Sequence, residues 1–121
     1  TQTRVLEAAT DLDGTWVPST PVIAVHTTPD QLHAVAAVLS APPVSAWAAA
    51  NYAGVALAPD AIKLSARQVL DVPLPPDRRR WEEAATVLRD GDLVGAGALM
   101  TAAYGADEAV FEWWSGRLPN Q

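Results

Sequence analysis

The chain has no cysteine and only eight basic side chains against fourteen acidic ones in 121 residues. The lack of cysteine excludes a disulfide framework and any thiolate zinc site. No apolar run is long enough to span a bilayer, and the N-terminus lacks a signal-peptide pattern. The net charge of −6 is unfavourable for a free-standing nucleic-acid binder, because phosphate neutralisation dominates the affinity of such proteins. We therefore expect a cytoplasmic protein that depends on its hydrophobic core for stability.

Half of the residues are apolar, and a chain of this size can bury a real core within one domain. It opens at Thr1, directly in a strand-like pattern, so we expect a fragment of a longer polypeptide.

The first 27 residues predict β-structure. Arg4 to Ala8 give an extended pattern around Val5 and Leu6, and Asp13-Gly14 is a strong turn dipeptide. Val22 to Val25 resume the extended pattern, so a hairpin is expected.

Helices should follow. Thr28 and Gln31 form a capping-box pattern before a stripe of apolar residues that ends at Leu39. A second helix is expected from about Val44 to Ala53. Three more should fill the C-terminal third, the first of them capped by Asp77.

Between these helical regions lies a short extended segment. Ile62 to Leu64 predict a strand, and Ser65 with Gln68 forms a second capping box around one helical turn. Val72 to Pro76 contain three prolines, which removes three backbone donors and favours a rigid, extended exit.

These elements predict an α/β (α+β) fold, with a small, mostly antiparallel sheet from the N-terminal half packed against four or more helices. We expect residues 1–77 to form one module and residues 78–121 to form a helical segment packed on it.

Four segments, taken in order, carry a resemblance to a known family: 1–8, the helix 31–40 with Pro42-Pro43, the helix end 50–54, and 62–76. Together they resemble the C-terminal target-recognition region of adenine-specific DNA methyltransferases of the type I modification-subunit kind. They are also similar to the recognition domains of type I specificity subunits. The resemblance implies sequence recognition within a bacterial restriction–modification or phage-defence system. The implied partners are double-stranded DNA and a methyltransferase catalytic domain or subunit.

The chain lacks the catalytic asparagine–proline–proline–aromatic motif of that family and has no glycine-rich cofactor loop. No methyl transfer is therefore expected from it, and S-adenosylmethionine is expected only in the parent protein. Val55 to Ala58 are apolar where the family often has polar residues, which argues against base contacts by this loop.

The DNA-facing residues implied by the resemblance lie on the second capped turn. Arg67 or Gln68 would contact a base edge, and Lys63 would hold a phosphate, with Ser65 beside them. In the alternative, Ser65 and Gln68 only cap their turn and both cations are solvated.

Further candidates are Arg4 in the opening strand and Asn51 and Tyr52 at a helix end. Each also has a purely structural interpretation, as an exposed strand position or a helix C-cap. Arg78 to Arg80 lie in the first turn of a helix, where the macrodipole disfavours cations. Either a phosphate or acidic partner compensates them, or Glu82 and Glu83 do so from the next turn.

The alternative function is a protein-interaction or scaffold domain that docks another subunit through its acidic surface and the Trp113-Trp114 doublet. The same tryptophans are also suited to packing between helices. His26 and His33 are seven residues apart with no carboxylate at ligand-like spacing, so neither a metal site nor catalysis is expected from them.

Overall fold

The computed structural model describes residues 2–3, 5–15, 23–52, 62–63 and 66–118, and the side chains of 5–15, 23–51 and 66–118. Its elements are β1 (Gln2–Thr3), α1 (Leu32–Leu39), α2 (Pro42–Tyr52), β2 (Ile62–Lys63), α3 (Ala66–Val69), α4 (Arg78–Arg89), α5 (Leu93–Ala103) and α6 (Glu108–Ser115). A 3-10 turn at Pro29–Gln31 leads into α1.

The architecture is helical, and the predicted α/β fold built on an antiparallel sheet is wrong. Helix α4 packs against α5 and α1, while α2 packs against α6 and α5. Among the described residues, strand pairing is limited to two residues of β1 opposite two of β2, with Gln2 beside Lys63 and Thr3 beside Ile62. Such a short ladder has no face large enough to serve as a layer for helices.

The N-terminal hairpin prediction is also wrong. Asp11 to Gly14 do form a turn, in which the Asp11 carboxylate accepts from the backbone N–H of Gly14 at 3.0 Å. However, no strand flanks it within the described residues. The backbone N–H of Leu6 instead donates to the Ser45 hydroxyl in α2, at 2.9 Å, and Val5 is buried. A helix therefore satisfies the donor that a strand partner was expected to satisfy. Residues 16–22, a part of the predicted β-structure that includes Val22, lie outside the described ones.

Helices α1 and α2 form where the sequence predicts them, but their starts differ in detail. Thr28 is extended and makes no side-chain capping bond, so the first capping box does not form. Helix α2 begins at Pro42, two residues before the predicted start, because proline suits the first helical turn. Among the described residues, no single helix is long and apolar enough to cross a bilayer. The bent pair 29–39 and 42–51, at 56°, meets that requirement only in combination.

The C-terminal helices begin at aspartates that cap them. The carboxylates of Asp77, Asp92 and Asp107 accept from backbone N–H groups at 3.2, 2.8 and 2.9 Å. Asp77 was predicted as a cap and is confirmed. The backbone N–H and then the guanidinium of Arg80 lower the pKa of Asp77, because both favour its charged form.

The main core is built from small side chains, which allow the helices to approach closely. Its buried members are Ala37, Val38, Ala41, Val44, Ala84, Ala96, Met100 and Ala103. Because they come from both 1–77 and 78–121, the two predicted modules share this core. Among the described side chains, Trp114 is the largest that is fully buried, and it lies against Gly97 of α5.

Candidate nucleic-acid interface

Arg67 lies exposed on α3, a single turn that follows β2. Its guanidinium has no ion-pair partner within the described part of the chain. Three backbone hydrogen bonds continue the turn beyond α3. The N–H groups of Leu70, Asp71 and Val72 each donate to the carbonyl three residues earlier, at 3.2, 3.0 and 3.3 Å. Arg67 is therefore presented to solvent from an ordered piece of backbone.

The other residues predicted for this turn are placed only in part. Gln68 is half-buried and already engaged in a polar interaction within the chain. The backbone of Lys63 is paired with Gln2 in the short ladder, while its side chain lies outside the described ones. Ser65 also lies outside the described residues, and its predicted capping role stays a prediction.

None of the remaining predicted DNA-contacting residues is seen in contact with Arg67 within the described part of the chain. Asn51 is exposed, and its side-chain amide donates to the Trp47 carbonyl one turn earlier at 2.7 Å. That bond lies within α2 and agrees with the structural interpretation of Asn51 as a helix-end residue. Arg4, the side chain of Tyr52 and residues 55–58 lie outside the described ones.

The proline-rich segment after α3 is fixed to the C-terminal end of α5. The Tyr104 hydroxyl donates to the Pro73 carbonyl at 2.5 Å, and the Asp77 N–H donates to the Ala103 carbonyl at 3.2 Å. Pro75 is buried. Residues 70–77, named the strap below, therefore connect the Arg67 turn to the helical core.

Burial raises the pKa of Tyr104 above its usual range, because the phenolate loses hydration. Above about pH 10, where an unfolded tyrosine ionises, the native state holds a proton that the unfolded state has released. Stability should therefore fall as pH rises through this region. We expect the melting temperature to fall between pH 8 and 11, and to fall less in Tyr104→Phe than in wild type. Parallel pH profiles for the two proteins would contradict this.

The three arginines at the start of α4 are compensated unequally. Arg80 pairs with Asp77 at 2.8 Å, and Arg79 lies 3.9 Å from Glu83 with its side chain 91% exposed. Arg78 is exposed and has no ion pair within the described residues. The sequence predicted that Glu82 and Glu83 would neutralise these arginines. Glu83 lies near Arg79, but the carboxylate that pairs with Arg80 is Asp77, which was not predicted.

Positive charge is concentrated in the stretch that contains both the Arg67 turn and these arginines. Residues 62–80 hold five basic side chains and two carboxylates, a net charge of +3 in a chain of −6. This stretch is therefore the part of the sequence whose charge best suits an anionic ligand.

The sequence did not predict a groove of about 730 Å³ that lies between α1, α4 and the strap. Leu70 and Leu74 lie along it and are 85% and 65% exposed. Arg78 and Arg89 lie along it as well. The available sequence signal was a pair of leucines, one just before the proline-rich segment and one within it.

Of the tryptophan doublet predicted as a docking surface, one member is buried in the core. Trp114 is 1% exposed, with the Phe111 ring 5.8 Å away, centroid to centroid. Trp113 is half-buried and lies under the guanidinium of Arg117, 5.0 Å from the ring centroid. The packing interpretation therefore applies to Trp114. It applies also to Trp81, whose indole N–H donates to the Ala34 carbonyl at 2.8 Å.

The two histidines do not come together with carboxylates as a metal site. His26 is exposed, and His33 is half-buried beside the groove. Within the described residues, no group of three or more possible metal-binding side chains is present.

The chain matches no protein-family model, no curated protein and no solved structure.

Proposed function

We propose that the chain is a non-catalytic DNA target-recognition domain of an adenine-specific DNA methyltransferase or a restriction–modification specificity protein. The observation that carries this proposal is the exposed Arg67 guanidinium, which has no ion-pair partner among the described residues. It lies in the one basic stretch of an acidic chain.

Arginine suits this role because its planar fork can donate two hydrogen bonds to a guanine edge in the major groove. An ordered turn holds the Arg67 backbone, so less conformational entropy is lost on binding than from a free loop. Lys63 and the exposed arginines at the start of α4 would contact phosphates, which supply affinity and register but no sequence information. Methyl transfer and S-adenosylmethionine would belong to the parent protein's catalytic domain.

Arg67→Ala is expected to weaken duplex binding by about 5- to 150-fold, which corresponds to about 1–3 kcal/mol for a specific arginine contact. Fluorescence anisotropy with a labelled duplex at low salt measures this directly. The matched control is Arg89→Ala, which removes the same charge from a pair with Asp90 at 3.6 Å, outside residues 62–80. It should change DNA affinity little, because Arg89 is not among the proposed DNA contacts and Asp90 already compensates its charge.

Equal losses in the two variants would mean that only net charge matters and would contradict recognition by Arg67. A wild-type chain with no affinity for duplex DNA at low salt would contradict the proposal itself.

A second candidate, a domain that docks another protein subunit, is favoured by the exposed Leu70 and Leu74 beside the groove. A cluster of this kind is typical of the apolar centre of an interface. Binding to a methyltransferase subunit that is unchanged in Arg67→Ala, together with no binding to DNA, would favour this candidate.

A further inference from the structure

The strap has few backbone donors with which to hold itself in place. Pro73, Pro75 and Pro76 have no N–H group, so this segment depends on its carbonyls and on the donors that flank it. At the far end of the strap, Asp77 accepts from the backbone N–H groups of Arg80 and Trp81 in α4. Within the described residues, two further hydrogen bonds join the strap to α5, both at its C-terminal end. One is donated by the Tyr104 hydroxyl to Pro73, and the other by the Asp77 N–H to Ala103.

Of the two bonds to α5, the one from Tyr104 lies nearer to Arg67, and the adjacent Val72 packs against the main core. Pro73 follows Val72, whose N–H closes the last backbone bond of the turn that starts at Arg67. Because proline fixes φ, the strap is stiff. A bond that holds Pro73 in place therefore also restricts the movement of the turn before it. The half-buried Tyr104 ring lies against the main core, so its hydroxyl is itself held in position.

We infer that Tyr104 is a positioning residue, whose hydroxyl holds the strap so that the preceding turn presents Arg67 to DNA. The presentation of Arg67 to DNA rests on the proposed function. The anchoring part depends only on the geometry of the strap. Tyr104 itself makes no contact with the nucleic acid in this account.

Tyr104→Phe removes the hydroxyl and keeps the ring, so the core packing should persist. We expect hydrogen–deuterium exchange at the amides of Leu70, Asp71 and Val72 to accelerate by roughly two- to tenfold, as the loss of one net hydrogen bond allows. Amides within α5 should keep their exchange rates. The affinity for duplex DNA should fall by a similar factor in anisotropy titrations.

The matched control is Ser115→Ala, which also removes a hydroxyl that donates to a backbone carbonyl, here that of Glu112 at 3.2 Å in α6. It should leave both exchange at 70–72 and DNA affinity unchanged. A general loss of stability would accelerate exchange throughout the helices in either variant, so the confinement of the effect to the strap identifies an anchor.

Unchanged exchange at 70–72 in Tyr104→Phe overturns the anchoring role, whatever happens to DNA binding. Faster exchange with unchanged DNA affinity overturns the positioning role. A wild-type chain that binds no duplex overturns the proposed function and the positioning role with it. In that case, faster exchange in Tyr104→Phe would still identify this bond as the anchor of the strap.

Discussion

Trp114→Ala should lower the free energy of unfolding by about 3–5 kcal/mol, a large part of the stability of a small domain. Trp114 is 1% exposed and is the largest fully buried side chain among the described residues. Its removal loses apolar transfer free energy and leaves a cavity between α5 and α6. Among the described residues the indole N–H has no hydrogen-bond partner, so packing accounts for the expected loss. Urea denaturation followed by far-UV circular dichroism measures the effect.

The neighbouring Trp113 provides the control, since Trp113→Ala deletes the same side chain from a half-buried position. Its described interaction is with Arg117, and an exposed cation–π contact contributes only about 0.5–1 kcal/mol. The loss should therefore be much smaller than at Trp114. Comparable losses at the two positions would contradict the assignment of Trp114 to the core.

Gly97→Ala should also destabilise the chain, by about 1–3 kcal/mol, although alanine favours helices by about 1 kcal/mol over glycine. A Cβ at Gly97 would lie 2.7 Å from Cζ3 and 2.8 Å from Cη2 of Trp114, with Pro42 Cγ at 3.4 Å. The ring is enclosed and cannot move away without disturbing the core. Overpacking therefore outweighs the gain in helix propensity.

Gly116→Ala is the matched control for this prediction. Its nearest contact would be the Glu112 carbonyl at 3.5 Å, and its φ of −70° suits any L-residue. It should be neutral or slightly stabilising, because alanine lowers the entropy of the unfolded chain. Chemical denaturation of both variants measures the difference, and a Gly97→Ala protein as stable as wild type would contradict the close contact.

A double-mutant cycle isolates the contact between the two residues. Trp114→Phe shortens the ring that the new methyl group would meet, so Gly97→Ala should cost less in that background than in wild type. If the losses in free energy of unfolding were additive, the destabilisation by Gly97→Ala would not come from its contact with Trp114.

Features set by neighbouring residues could be predicted from the sequence. Asp77 precedes a helix whose N–H groups need an acceptor, and it caps that helix. The apolar stripe that ends at Leu39 lies on a helix, and the prolines after Val72 exclude one. The packing between helices that the sequence offered as one role for the C-terminal tryptophans holds for Trp114, which is buried.

Features that depend on distant partners were not predictable in this way. An alternating pattern around Val5 is typical of a strand, but it does not show whether the segment's donors meet another strand or a helix. Here Leu6 donates to Ser45, which is 39 residues away. The groove beside Leu70 and the bond from Tyr104 to Pro73 likewise require tertiary structure. Of the candidate site, the exposure of Arg67 was foreseen, whereas its anchorage was not.

The most direct test of the DNA-recognition proposal is the salt dependence of duplex affinity, measured by anisotropy for wild type and Arg67→Ala between about 50 and 200 mM salt. The account predicts that log affinity falls linearly with log salt concentration in both proteins, with Arg67→Ala weaker throughout. Absent binding, or binding that is independent of salt and of Arg67, would contradict it.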